Sequence, residues 1–144
     1  MKYTNSISVR RPLTEVAEAV KIEDISKFSA DAKFVGRNGS MVTISVDGTE
    51  VTLEEQIRDR LVVYTLVSIS ARFNPVARCV LHIDFTETSF AQIQTEVLVT
   101  IEAEIAGPRF VVRLAEAQIR KYTDLYLNKF REMMEEYQSP NGDC

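Results

Sequence analysis

One histidine, two cysteines and no long apolar run are the first constraints this sequence imposes. A protein-bound metal normally takes three or four ligands drawn from His, Cys and carboxylates. His82 has Asp84 two residues along on the same strand face, but no second imidazole to complete a set. A solvated sheet histidine is the plain reading, with a metal site or a base and its orienter as the alternatives. Cys79 sits inside an apolar run and Cys144 stands at the far end of the sequence. A bridge between them would pin a fraying segment to a strand, so two free thiols are expected. No stretch approaches the roughly 20 apolar residues of a membrane-spanning helix. The opening MKYTNSISVRRP also lacks the apolar core of a secretory signal, and a cytoplasmic protein is expected.

Other absences exclude whole chemistries. There is no G-x-S-x-G elbow, and a serine triad would have to take His82 as its base. GRNGSM holds two glycines but neither the lysine nor the following helix of a phosphate-cradling loop, and reads as a turn into a sheet. From Cys79 to Pro108 there is no Lys or Arg, while Asp84, Glu87, Glu96, Glu102 and Glu104 all fall there. With a formal net charge of -4, a nucleic-acid backbone is excluded as the main partner. No cofactor-binding signature is present.

What remains is the composition of a globular domain: 45% hydrophobic and 26% charged over 144 residues. That length suits one domain, residues 1–144, able to hide roughly two thirds of its unfolded surface without cross-links. Residues 139–144, SPNGDC, read as a stop signal and a frayed tail.

Along the chain, Tyr3 to Arg11 alternates around Ile7 and Val9 as a first strand. Pro12 can open a helix without losing an amide bond, and Leu13, Val16, Ala17 and Val20 recur at helical spacing. Ile22, Ile25 and Phe28 mark a second short helical segment. From about Lys33 to residue 105 the period is two, with Asp47-Gly48 as the strongest hairpin signal.

Taking Gly48-Thr49 and Asp59-Arg60 as two-residue loops puts Val42, Ile44 and Val46 on one face with Val51, Leu53, Glu55 and Ile57. That face continues into Val62, Tyr64, Leu66 and Ser68. Cys79, Leu81, Ile83 and Phe85 share a face with Ala91, Ile93, Thr95, Val97, Val99 and Ile101, and the last strand is long enough to need a bend or bulge. Leu61, Val63, Thr65, Val67, Ile69 and Ala71 are the exception, an apolar stripe on the outer face. Either a bulge changes the parity there or a partner covers it, and a homodimer through the outer face of 61–71 is one expectation.

RFVVRLAEAQIRKYTDLYLNKFREMMEEYQ runs without Gly or Pro, with apolar positions at Val111, Leu114, Ala115, Ile119, Tyr122, Leu125, Tyr126, Phe130, Met133 and Tyr137. A helix of about 30 residues spans roughly 45 Å, and its stripe needs a large apolar surface. A strongly bent antiparallel sheet supplies one, packs incompletely on the helix, and leaves a cavity. The fold class is therefore α+β: about seven curved antiparallel strands on a long C-terminal helix, with two short helices after the first strand.

This order resembles the helix-grip fold of the START and birch-pollen-allergen-like superfamily, which includes lipid-transfer domains, polyketide cyclases and plant hormone receptors. The sequence is also similar to a small family of uncharacterised archaeal proteins from thermoacidophiles. The resemblance implies a pocket for a hydrophobic ligand between sheet and helix, and carries over a location rather than matched residues.

Within such a cavity the candidate ligand-binding residues are Glu55, Tyr64, Ser68, Tyr122, Tyr126 and Met133. Glu55 is the most informative, since a carboxylate on an inner face must be protonated, hydrogen-bonded or turned to water; solvation near the groove's open end is its bland alternative. The tyrosines and Met133 are equally ordinary core residues or adaptable ligand walls. The leading expectation is binding or carriage of a small hydrophobic molecule such as a lipid. A cyclase, aromatase or hydratase in the same cavity is the second reading, and an interaction module with a filled core the third.

Overall fold

Alternating apolar residues and tight turns build one antiparallel sheet whose strands follow the order β1-β7-β6-β5-β4-β3-β2. These are Lys2–Val9 (β1), Ala32–Asn38 (β2), Met41–Val46 (β3), Thr49–Arg58 (β4), Leu61–Ile69 (β5), Val76–Thr88 (β6) and Gln94–Ile105 (β7). A short helix, Leu13–Ala19 (α1), and a 3-10 segment, Ile22–Lys27, follow β1, and the chain ends in the helix Arg109–Gly142 (α2). The computed structural model describes residues 1–89 and 91–142, with side chains to 135. The packing expected of Tyr137 therefore lies outside the described residues, as does the tail expected at 139–144, apart from backbone that continues α2 to Gly142.

The β3–β4 turn falls one residue earlier than expected, at Asp47-Gly48, because Val46 pairs with Thr49. Both turn residues take positive φ, 52° and 82°, the twist that suits a two-residue hairpin. The correction moves the register by two positions, so every side chain keeps its expected face while Ile44 comes opposite Val51 instead of Leu53. The Asp59-Arg60 loop is as expected, with Arg58 opposite Leu61 and Glu55 opposite Tyr64.

Two bulges then redirect side chains. In β5 the register shifts beyond Leu66, so that Ser68 faces Thr52 and Ile69 faces Val51. Thr52 carries a hydroxyl bonded to that of Thr43 on the outer face, and Ser68 is exposed there rather than on the inner surface. The expected outer stripe is thereby split: Leu61, Val63 and Thr65 point outward, whereas Ile69 joins the inner face. In β2 the shift lies between Phe34 and Gly36, and Arg37 comes opposite Val42, a fully buried residue of the concave face.

The core is one cluster. Val9, Val16, Phe85, Val97, Leu127 and Phe130 interlock where α1, α2, β1, β6 and β7 meet. Thr95 is buried with them, its hydroxyl donating to the Arg11 carbonyl at 2.8 Å. The helix is gripped from both sides. Tyr3 Oη and Asn5 Nδ2 of β1 donate to Asp124 at 2.5 and 2.8 Å, and on the opposite side Tyr122 Oη donates to Asp47 of the β3–β4 turn. Of the expected helical stripe, Ile119, Tyr126, Phe130 and Met133 join the core, but Leu114 and Leu125 are 60% and 51% exposed. Leu127, which the stripe omitted, is buried instead: it lies about 200° around the helix from Leu125.

Candidate functional site

Between the two grips, the sheet bends away from α2 and leaves a cavity of about 290 Å³. Its floor is the inner face of the sheet, including Ala32, Ile44, Leu53, Tyr64, Cys79 and Leu81. Ile22, Ile25 and Ser29 form one wall and Tyr122, Thr123 and Tyr126 form the roof. Strand alternation puts the floor residues on one face, and helical spacing puts Tyr122 and Tyr126 one turn apart. No charged side chain lines the cavity. Among the described residues no group of three His, Cys, Asp or Glu side chains is placed to hold a metal ion.

Of the candidate residues, Tyr64, Tyr122 and Tyr126 come together on this cavity. Glu55 lies behind its wall, Met133 packs against the core elsewhere, and Ser68 is on the outer face. Glu55 is buried rather than solvated at the groove's end. Its Oε2 accepts from Tyr64 Oη at 2.8 Å and its Oε1 from Arg37 Nη1 at 2.7 Å. Arg37 uses its other terminal nitrogen on Glu23 Oε1, also at 2.7 Å, so one chain of charge-assisted bonds runs from the 3-10 segment to the cavity wall. Sequence reasoning missed Arg37 and Glu23. The available signal was Gly36, a strand glycine that marks a bulge.

This chain sets the protonation states. Burial, followed by the Glu55 carboxylate, pushes the Tyr64 phenol well above the usual tyrosine value. The hydrogen bonds that Arg37 donates to Glu55 and Glu23 raise its own pKa further, and Arg37 lowers Glu23. On the roof, Asp47 holds Tyr122 protonated, with its pKa pushed up to about 12. Burial raises Tyr126 and, on the floor, the Cys79 thiol, which is free. A raised thiol is a poor nucleophile near neutral pH. The arrangement is thus an uncharged, apolar chamber with tyrosine hydroxyls at its edge.

Solved structures share this architecture. The chain is similar to the protein XoxI from Bacillus cereus, with a TM-score of 0.77 and 11% identity over 92% of this chain and 94% of that one. It is also similar to a START superfamily protein from Mycobacterium smegmatis, with a TM-score of 0.65, 9% identity and coverage of 92% and 98%. The Zhui aromatase/cyclase from Streptomyces sp. R1128 matches with a TM-score of 0.64, 15% identity and coverage of 94% and 93%. The fold is the START-like helix-grip fold. No protein-family model matches the chain and no curated protein is similar to it in sequence, so the narrower likeness to an archaeal family has no support. No helix among the described residues is long and apolar enough to cross a membrane.

Proposed function

We propose that this helix-grip protein binds a small hydrophobic molecule in the cavity under α2 and carries or sequesters it. The observation that supports this is the cavity itself: a 290 Å³ space lined without charge, close to the lower end of the roughly 300–1,000 Å³ of small-molecule pockets. A groove of that size, open on one side and lined by apolar groups, offers dispersion contacts that a bound apolar molecule takes up in place of water. A small isoprenoid or lipid fragment fits this description, and the cytoplasm is its expected setting.

A cyclase-type enzyme is the second reading. It draws on the likeness to an aromatase/cyclase and on the hydrogen-bonded Tyr64–Glu55 pair at the wall. Both oxygens of Glu55 are already engaged and the Tyr64 phenol is raised. The Tyr64 phenol is therefore not poised to give up a proton near neutral pH, and binding is the better-supported function. Self-association through the outer face of β5 has narrower support. Leu61 and Val63 are half-buried within one chain, and Val67 is 49% exposed, so sedimentation is expected to show at most a weak dimer.

Native mass spectrometry with a panel of apolar compounds tests the binding reading. Wild type should take up one molecule per chain, and Cys79→Phe, which puts a ring into the cavity from its floor, should lose it while unfolding cooperatively. A folded wild type that binds nothing across the panel refutes the proposal.

A further inference from the structure

The polar groups around the cavity are unequal. Tyr64 spends its proton on Glu55 and Tyr122 spends its own on Asp47. Thr123 donates to the Ile119 carbonyl at 2.8 Å. Tyr126 is different: it lines the cavity, is half-buried, and makes no hydrogen bond to any described residue. Its ring cannot turn away to find a partner, because Phe28 meets it edge-on at 5.5 Å and Phe130 stacks on it at 6.2 Å. A hydroxyl held at the cavity surface with no protein acceptor is left to donate to the oxygen of an incoming molecule. Ser29, the other cavity hydroxyl, sits on a short side chain with no comparable clamp.

Charge narrows the choice further. A carboxylate inside would lose its hydration without meeting a cation, since no charged residue lines the wall. The surroundings are acidic as well: Asp47 is bonded to Tyr122, Asp31 acts on the same phenol, and Asp24 acts on Tyr126. At about 290 Å³, the cavity lies at the small end of ligand pockets, which favours a compact molecule.

We infer that the cavity selects a neutral, compact apolar molecule carrying one oxygen, and that the Tyr126 hydroxyl anchors this oxygen. The inference rests on the binding function proposed above and specifies its ligand. Lipids with an ionised head buried in the chamber are excluded, while neutral alcohols, phenols and ketones of this size are favoured.

Naphthalene, naphthol and naphthoate carry the same rings with no oxygen, a neutral oxygen and a charged one. Their affinities for the full chain, wild type, Tyr126→Phe and Ser29→Ala, are to be measured by fluorescence titration near neutral pH, with thermal unfolding as the check on folding. Wild type should bind naphthol about threefold to tenfold more tightly than naphthalene, and naphthoate at least about tenfold more weakly than naphthol. In Tyr126→Phe the naphthol-to-naphthalene ratio should fall towards one, and in Ser29→Ala it should persist. A ratio unchanged by Tyr126→Phe, a ratio lost in Ser29→Ala instead, or naphthoate binding as tightly as naphthol overturns the anchor and leaves the binding function standing. Binding of none of the three by folded wild type overturns both. If Tyr126→Phe does not fold, the wild-type ranking decides: naphthalene or naphthoate equal to naphthol overturns the inference.

Discussion

Replacing Arg37 by Met removes one charge from the Glu23–Arg37–Glu55–Tyr64 chain while keeping most of the aliphatic stem. The Glu55 side chain is 6% exposed, so the carboxylate left behind keeps only the Tyr64 hydroxyl in a nearly dry site. Cutting one partner from a fully buried pair typically costs about 3–5 kcal/mol. Arg37 is itself 33% exposed, and the space it vacates admits water to Glu55, which lowers the expected loss to about 2 kcal/mol. Glu55→Gln keeps an acceptor for Tyr64 and should cost about 1 kcal/mol. The double variant leaves no uncompensated buried charge, since Glu23 is 44% exposed, so its loss should fall short of the summed single losses by about 1 kcal/mol. Urea unfolding followed by circular dichroism measures all three, with an unchanged m-value as the sign that only stability moved. Acidification adds a second readout. Arg37 lowers the Glu23 pKa, so the stability from that pair is present above the ordinary 4.5 and is lost as pH falls through the lowered folded value. The gap between wild type and Arg37→Met should therefore narrow in acid. Additivity of the two substitutions within about 0.3–0.5 kcal/mol would refute the coupling, and a neutral Arg37→Met would refute the burial argument behind it.

Three further outcomes are expected. Phe130→Ala empties a fully buried site that also supports Tyr126, and should cost about 3–5 kcal/mol in denaturant unfolding. Tyr122 is raised from 10.0 to about 12 by Asp47, so its contribution is complete below pH 10 and is lost as pH rises through about 12; Tyr122→Phe should flatten that alkaline decline in melting temperature. Cys79, raised by burial and lining the cavity, should alkylate more slowly near neutral pH than a free cysteine in a Cys144→Ser background, and more slowly still when naphthol is bound, as read by mass spectrometry.

The architecture was legible in the sequence because its signals are local. Asp47-Gly48 and Asp59-Arg60 specify tight turns, alternation specifies strand faces, and an uninterrupted stripe specifies α2. A loop misplaced by one residue, as at Gly48-Thr49, shifts the register by two and left the faces intact because side chains repeat every two residues. Odd offsets do the opposite. The bulges in β2 and β5 each flip the parity beyond them, bringing Arg37 to the buried Glu55 and sending Ser68 to the surface. Hydrophobic periodicity does not report where one extra residue is inserted. The phase of α2 was likewise beyond it, because Leu125 and Leu127 are equally apolar and only the sheet's curvature decides which faces inward. The sequence by itself determined a curved antiparallel sheet on a long helix, since those patterns are written in neighbouring residues. The tertiary structure alone decided that a cavity survives, that Glu55 is paired behind its wall, and that Tyr126 faces it without a partner, because each depends on distances between residues far apart in the chain.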